Sequence, residues 1–113
     1  MSLLVKAKKI KLEDAEMYCK LDMKSIETYK NISGESFMKG IQRISEMDEG
    51  VILNLIASTV RHTIDGDPVG KEFLEQFNPI ALIMEMIDPL MELVEDAMPK
   101  SKPGDVKKKI VKK

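Results

Sequence analysis

Between Asn78 and Pro99 the chain reads NPIALIMEMIDPLMELVEDAMP, a stretch with four methionines, five acids and no basic or aromatic residue. On a helical wheel of about 100° per residue with Ile80 as origin, Ile83, Met84, Ile87, Met91, Val94 and Met98 fall within about 60° of it. Leu82, Met86, Leu90, Leu93 and Ala97 form a second stripe beside the first, and Glu85, Asp88, Glu92, Glu95 and Asp96 gather in the remaining third. The apolar arc is then about 200° wide, against the roughly 100° that a helix needs to cover one core. Half of that arc is surplus in a single small domain. Either the helix is sandwiched within its own domain, or one stripe packs inward and the other meets a partner. Methionine suits the second arrangement because its flexible, polarisable side chain accommodates more than one opposing shape.

Pro89 interrupts the wheel. It has no N–H to donate to the carbonyl of Glu85 and its ring crowds that turn, a cost of about 3 kcal/mol in a straight helix. Asp88-Pro89 also repeats the cap-and-first-turn pairing of Asn78-Pro79. The spacing therefore predicts a jointed pair of short helices, capped at Asn78 and Asp88.

The N-terminal third follows a different period. Ile10 and Leu12, then Met17, Cys19, Leu21 and Met23, recur at every second position on either side of Glu13-Asp14-Ala15, which predicts a β-hairpin over 5–23 with one apolar face. An isolated hairpin is marginal in water, so it has to lean on helices later in the chain. Asp22 is placed to cap a helix over 23–32 with Met23, Ile26 and Tyr29 on one face, and Ser33-Gly34 to stop it. A second helix from Ser36 carries Phe37, Ile41 and Ile44 at i, i+4 and i+7. A third, from about 46 to 63, is expected to start at Ser45 with Asp48 completing its cap. Its Val51, Ile52, Leu55, Ile56, Thr59 and Val60 make it the central helix. TIDGDPVG reads as a loop, and KEFLEQF as a short helix presenting Phe73, Leu74 and Phe77.

At 113 residues the chain suits one domain, large enough to bury a core without disulfides or metal. We expect a single globular domain over 1–99 of the α+β class. It is mostly helical, with the hairpin packed on four to five helices over 24–98. The charge is unevenly spread: residues 31–99 carry four bases against thirteen acids, while 100–113 carry seven lysines against Asp105. An acidic body repels phosphate backbones and argues against specific nucleic-acid binding. The segment KSKPGDVKKKIVKK lacks the apolar content to pack and reads as a disordered tail. The start, MSLLVKAKKIKL, has no apolar run long enough for a signal peptide or a membrane span, which points to a cytoplasmic protein that does not engage membranes. A lone cysteine, Cys19, agrees with a reducing compartment.

Catalytic chemistry finds little to stand on. His62 is the single histidine, next to Arg61 at the expected end of the third helix, where the dipole by itself accounts for a cationic ring. Zinc would need three or four ligands from His, Cys and acids, and the Asp65-Gly66-Asp67 loop does not meet the ligand spacing of a calcium loop. The chain has no P-loop, dinucleotide-binding glycine pattern or nucleophile elbow. No enzyme, metal or cofactor is expected.

The order of these elements is more informative than any single motif. A lysine-rich hairpin is followed by LDMKSIETYKNISGESFMKGIQRI, MDEGVILNLIASTVRH, the DGDPVGKEFLEQFNP loop and an acidic, apolar last helix. Over residues 8–99 this order resembles the small tail assembly chaperones of phages and prophages of Gram-positive bacteria. DMKSIETYKNISGESF carries most of the likeness, in its helix ending at Ser-Gly before a Ser-Phe helix start. The resemblance implies a non-enzymatic role: such proteins bind the long tape-measure protein in the host cytoplasm, keep it soluble and help tail-tube subunits assemble around it. It assigns no contact residues.

The wheel alone nominates Met84, Met86, Leu90, Met91 and Leu93 as the partner-binding set, with the expectation that Met86→Asp and Leu90→Asp together leave the fold intact. The alternative is a structural or regulatory protein that self-associates into a homo-oligomer through the same face.

Overall fold

The computed structural model describes residues 5–98. The basic segment 100–113, expected to be a disordered tail, lies outside the described residues. Two strands open the fold, β1 (Ala7–Leu12) and β2 (Ala15–Lys20), joined by a two-residue turn at Glu13-Asp14 with Leu12 opposite Ala15. Alternation sets the faces: Ile10 pairs with Met17, and these two with Leu12 and Cys19 are buried, while Lys9, Lys11 and Glu16 face outward. Glu13 adopts φ 55, a left-handed conformation that this turn usually gives to glycine.

A third strand completes the sheet. β3 (Val60–Arg61) pairs antiparallel with β2, Cys19 opposite Val60 and Tyr18 opposite Arg61, giving the order β1-β2-β3. Periodicity predicts helix through this stretch. The central helix instead ends at Thr59, and Val60 turns to an extended backbone. Two hydroxyls bond back along the last turn, Ser58 to the Asn54 carbonyl at 2.7 Å and Thr59 to the Leu55 carbonyl at 2.8 Å. Pairing with a strand some forty residues earlier decides the conformation, and helical periodicity carries no trace of that partner.

Five α-helices come after the hairpin. α1 (Met23–Ser33) is capped at Asp22, whose carboxylate accepts from the Ser25 N–H at 3.1 Å while the Ser25 hydroxyl accepts from the Asp22 N–H at 3.2 Å. Gly34, at φ 79, closes it as expected. The face differs from expectation. Met23 and Ile26 are exposed, and Ser25 and Tyr29 are the buried pair, because the Ser25 hydroxyl, donating to the Lys20 carbonyl and accepting from Arg61, turns that side of α1 inward. α2 (Phe37–Gln42) starts from Ser36 and runs into a 3₁₀ turn over Ile44–Glu46. The next cap is Asp48 itself rather than Ser45: its carboxylate accepts from the Val51 N–H at 3.2 Å and opens α3 (Glu49–Thr59).

α3 is the centre of the molecule. Val51, Ile52, Leu55, Ile56 and Thr59 are all buried, and α3 packs against α1, α4 (Gly70–Leu74), α5 (Pro79–Ala97) and the sheet. α5 lies across α3, β1 and β2. Asn78 caps it, accepting from the Ile80 and Ala81 N–H groups at 3.0 and 3.2 Å.

The predicted break at Pro89 does not occur: α5 is one helix of 19 residues with Pro89 inside it. Leu82, Ile83 and Met86 before the proline and Leu90, Leu93 and Val94 after it bury against the same core. Burying side chains of this size contributes about 1.5–3 kcal/mol each, so the six together outweigh one lost hydrogen bond and a crowded turn. Glu85, whose carbonyl loses that donor, is exposed and open to water.

Candidate functional site

Two faces of α5 divide the surplus apolar arc. The inner face holds Leu82, Ile83, Met86, Leu90, Leu93 and Val94, all buried. The outer face holds Ile80, Met84 and Met91, which are 61%, 68% and 36% exposed, with Ile87 partly buried between them. These four recur at i, i+4, i+7 and i+11, one continuous stripe along about 16 Å of helix.

The nominated set is therefore split. Met84 and Met91 lie on the outer stripe, while Met86, Leu90 and Leu93 are 1%, 0% and 4% exposed in the core. Acid substitutions at Met86 and Leu90 would place carboxylates inside that core, so the expectation of an intact fold is reversed. Ile80 and Ile87, which the wheel places on the same stripe as Met84 and Met91, are not in the nominated set. Both stripes read as apolar on the wheel, and both contain isoleucine and methionine, so the sequence carries no local signal for which of them packs inward.

The acids of α5 line one flank of the outer stripe. Glu92 pairs with Lys8 of β1, and its carboxylate holds the Lys8 ammonium above its ordinary pKa. Among the described residues it is the one acid of the five with an ion pair. Two shallow grooves of about 560 and 480 Å³ flank the hairpin turn, sharing Leu12, Glu13 and Phe77 as lining. His62 borders the second, its ring edge-on to Phe73 with centroids 5.0 Å apart. It stands in the segment after β3, exposed, and not at a helix end, so the dipole reading of His62 does not apply.

Sequence reasoning also missed a buried polar junction. Arg61 is 1% exposed and grips Asp22 with both terminal nitrogens, Nη1 to Oδ2 at 2.9 Å and Nη2 to Oδ1 at 2.6 Å. Nη2 also donates to the Ser25 hydroxyl at 2.9 Å, and that hydroxyl donates to the Lys20 carbonyl at 2.8 Å. The guanidinium holds the Asp22 carboxyl down to about 2. Asp67 of the loop after β3 pairs with Lys24 of α1 at 2.8 Å on the surface. A second chain of contacts runs from the Tyr29 hydroxyl to Glu35, then Arg43 at 2.9 Å, then Asp48 at 2.8 Å. Burial pushes the Tyr29 hydroxyl up to about 12. The first network ties the cap of α1 to β2 and β3, and the second links α1 to the residues that end α2 and open α3. The Cys19 thiol is 0% exposed and pushed up to about 12 by burial, which removes its nucleophilic form at neutral pH.

Among the described residues no helix is long and apolar enough to cross a membrane, and no three ligating side chains converge on a metal position. Comparison with family models, with curated proteins and with solved structures finds no match.

Proposed function

We propose that the protein is a non-enzymatic assembly chaperone of the phage tail type that works in the bacterial cytoplasm. It covers apolar stripes of a helical client, the tape-measure protein of the same tail, until assembly buries them. The observation that carries this reading is the outer stripe of α5, where Ile80, Met84 and Met91 stand exposed along a helix whose other face is fully packed. Isolated exposed apolar residues are ordinary, but an aligned row on a rigid, well-anchored helix is a surface suited to a partner helix. The resemblance over residues 8–99 supplies the identity of the client. The acidic body, with four bases against thirteen acids over residues 31–99, would keep the complex soluble.

Co-expression of the chain with a phage tape-measure protein tests the proposal. Met84→Asp with Ile80→Asp is expected to leave the circular dichroism spectrum and melting temperature unchanged and to abolish co-purification. Undiminished capture by that folded variant would overturn the assignment of the stripe.

A further inference from the structure

From Glu72 to Met98 the chain holds seven acids and no base, and five of those acids belong to α5. All five lie on one flank of the outer stripe, because the other flank turns through Ile83 and Val94 into the core. Asp88 follows Met84 by four residues and Glu95 follows Met91 by four, so each exposed methionine has a carboxylate as its immediate helical neighbour. Both acids are exposed, and neither has an ion pair among the described residues. A helix seated on the stripe would lie along this row. If its own flank were apolar or acidic, it would desolvate or repel carboxylates of which, among the described residues, Glu92 alone has a cation. If basic, it would pair them.

Symmetry disfavours a second copy of this chain. Two α5 helices packed antiparallel about a two-fold axis put both acidic rows on the same side of the seam. Packed in parallel, each row faces the Ile83 and Val94 edge of the other copy and still finds no cation. We propose that the outer stripe receives an amphipathic helix carrying Lys or Arg along one flank of its apolar seam. This inference rests on the reading of α5 as the client-binding face and adds the chemistry of the client: a charge-selective seam with acids on the chaperone and bases on the client.

The test titrates the full chain with two synthetic helical peptides of about five turns, identical in their leucine seam, one flanked by Lys and the other by Glu. Fluorescence anisotropy is expected to show the Lys peptide binding at least about tenfold tighter at low ionic strength, with the gap closing in high salt. Asp88→Lys with Glu95→Lys, both at exposed positions, is expected to reverse the preference. Equal affinity for the two peptides would overturn the charge inference and leave the client-binding reading standing. Binding of neither peptide would overturn it too, and capture of the tape-measure protein unaffected by Met84→Asp would remove the client-binding reading separately. A dimer in sedimentation that Met84→Asp dissociates would assign the stripe to a second copy and overturn the proposal. So would a tenfold or greater gain in Lys-peptide affinity when Lys107, Lys108 and Lys109 are changed to Glu, which would assign it to the chain's own basic segment.

Discussion

The junction around Arg61 and the outer stripe of α5 depart from the usual partition of polar and apolar groups in opposite directions. One buries a cation at 1% exposure, and the other leaves Met84 at 68%. The difference between them lies in where their partners are found. Arg61 meets Asp22 twice, Ser25 once and the Gly66 carbonyl at 3.4 Å, all within the chain. Of the stripe, Ile87 packs against the core, while Ile80, Met84 and Met91 stand exposed among the described residues. An exception met within the chain at every terminal guanidinium nitrogen, with the Arg61 Nε left as the one orphan among the described residues, holds the fold together, and one left open points outward.

The contrast can be broken most sharply on α5 itself. Met86→Asp buries a charge in the core face of α5 and is expected to lose about 4 kcal/mol or more, a large share of the stability of a domain of this size. Urea denaturation followed by circular dichroism measures it, and a Met86→Asp that loses less than about 1 kcal/mol would erase the distinction between the two faces.

Arg61→Ala comes next. It strands the Asp22 carboxylate and the Ser25 hydroxyl, with an expected loss of about 3–5 kcal/mol in the same assay. A loss below about 1 kcal/mol would mean the junction is only a surface ion pair.

Acid should reach the junction and leave the stripe unaffected. The folded-state pKa of Asp22 is about 2, below its unfolded value. The pair therefore contributes stability that is fully present above the ordinary carboxylate range and is lost as pH falls from about 5 towards 2. The loss from this group is about 2 kcal/mol, and it is expected to be absent in Asp22→Asn, whose stability curve should be flatter over that window. The smallest effect belongs to Met84→Asp, within about 0.5 kcal/mol of the parent, because its side chain is already in water.

How legible each feature is in the sequence depends on the range of the interaction that decides it. The Asp22 and Gly34 boundaries of α1 were legible because caps act within a few residues, and the hairpin was legible because alternation is local. β3 was not, since Val60 and Arg61 take their conformation from Tyr18, Cys19 and Asp22. The same distant pairing explains why Ser25, rather than Met23 or Ile26, faces inward. At Pro89 a correct local rule was overridden by six buried side chains that need one continuous surface. The width of the apolar arc on α5 was legible, but which stripe faces the core was not. Both stripes satisfy the same period, and only packing against α3 and the sheet tells them apart.

At the outer edge of the sheet, β1 pairs with β2 on one side alone, among the described residues, and it carries Lys8, Lys9 and Lys11 on AKKIKL. A second copy approaching edge to edge in the antiparallel sense would bring ammonium groups against ammonium groups as each new backbone bond formed. The sheet therefore carries its own brake on polymerisation, built from the same residue type that ties β1 to α5 through Lys8 and Glu92.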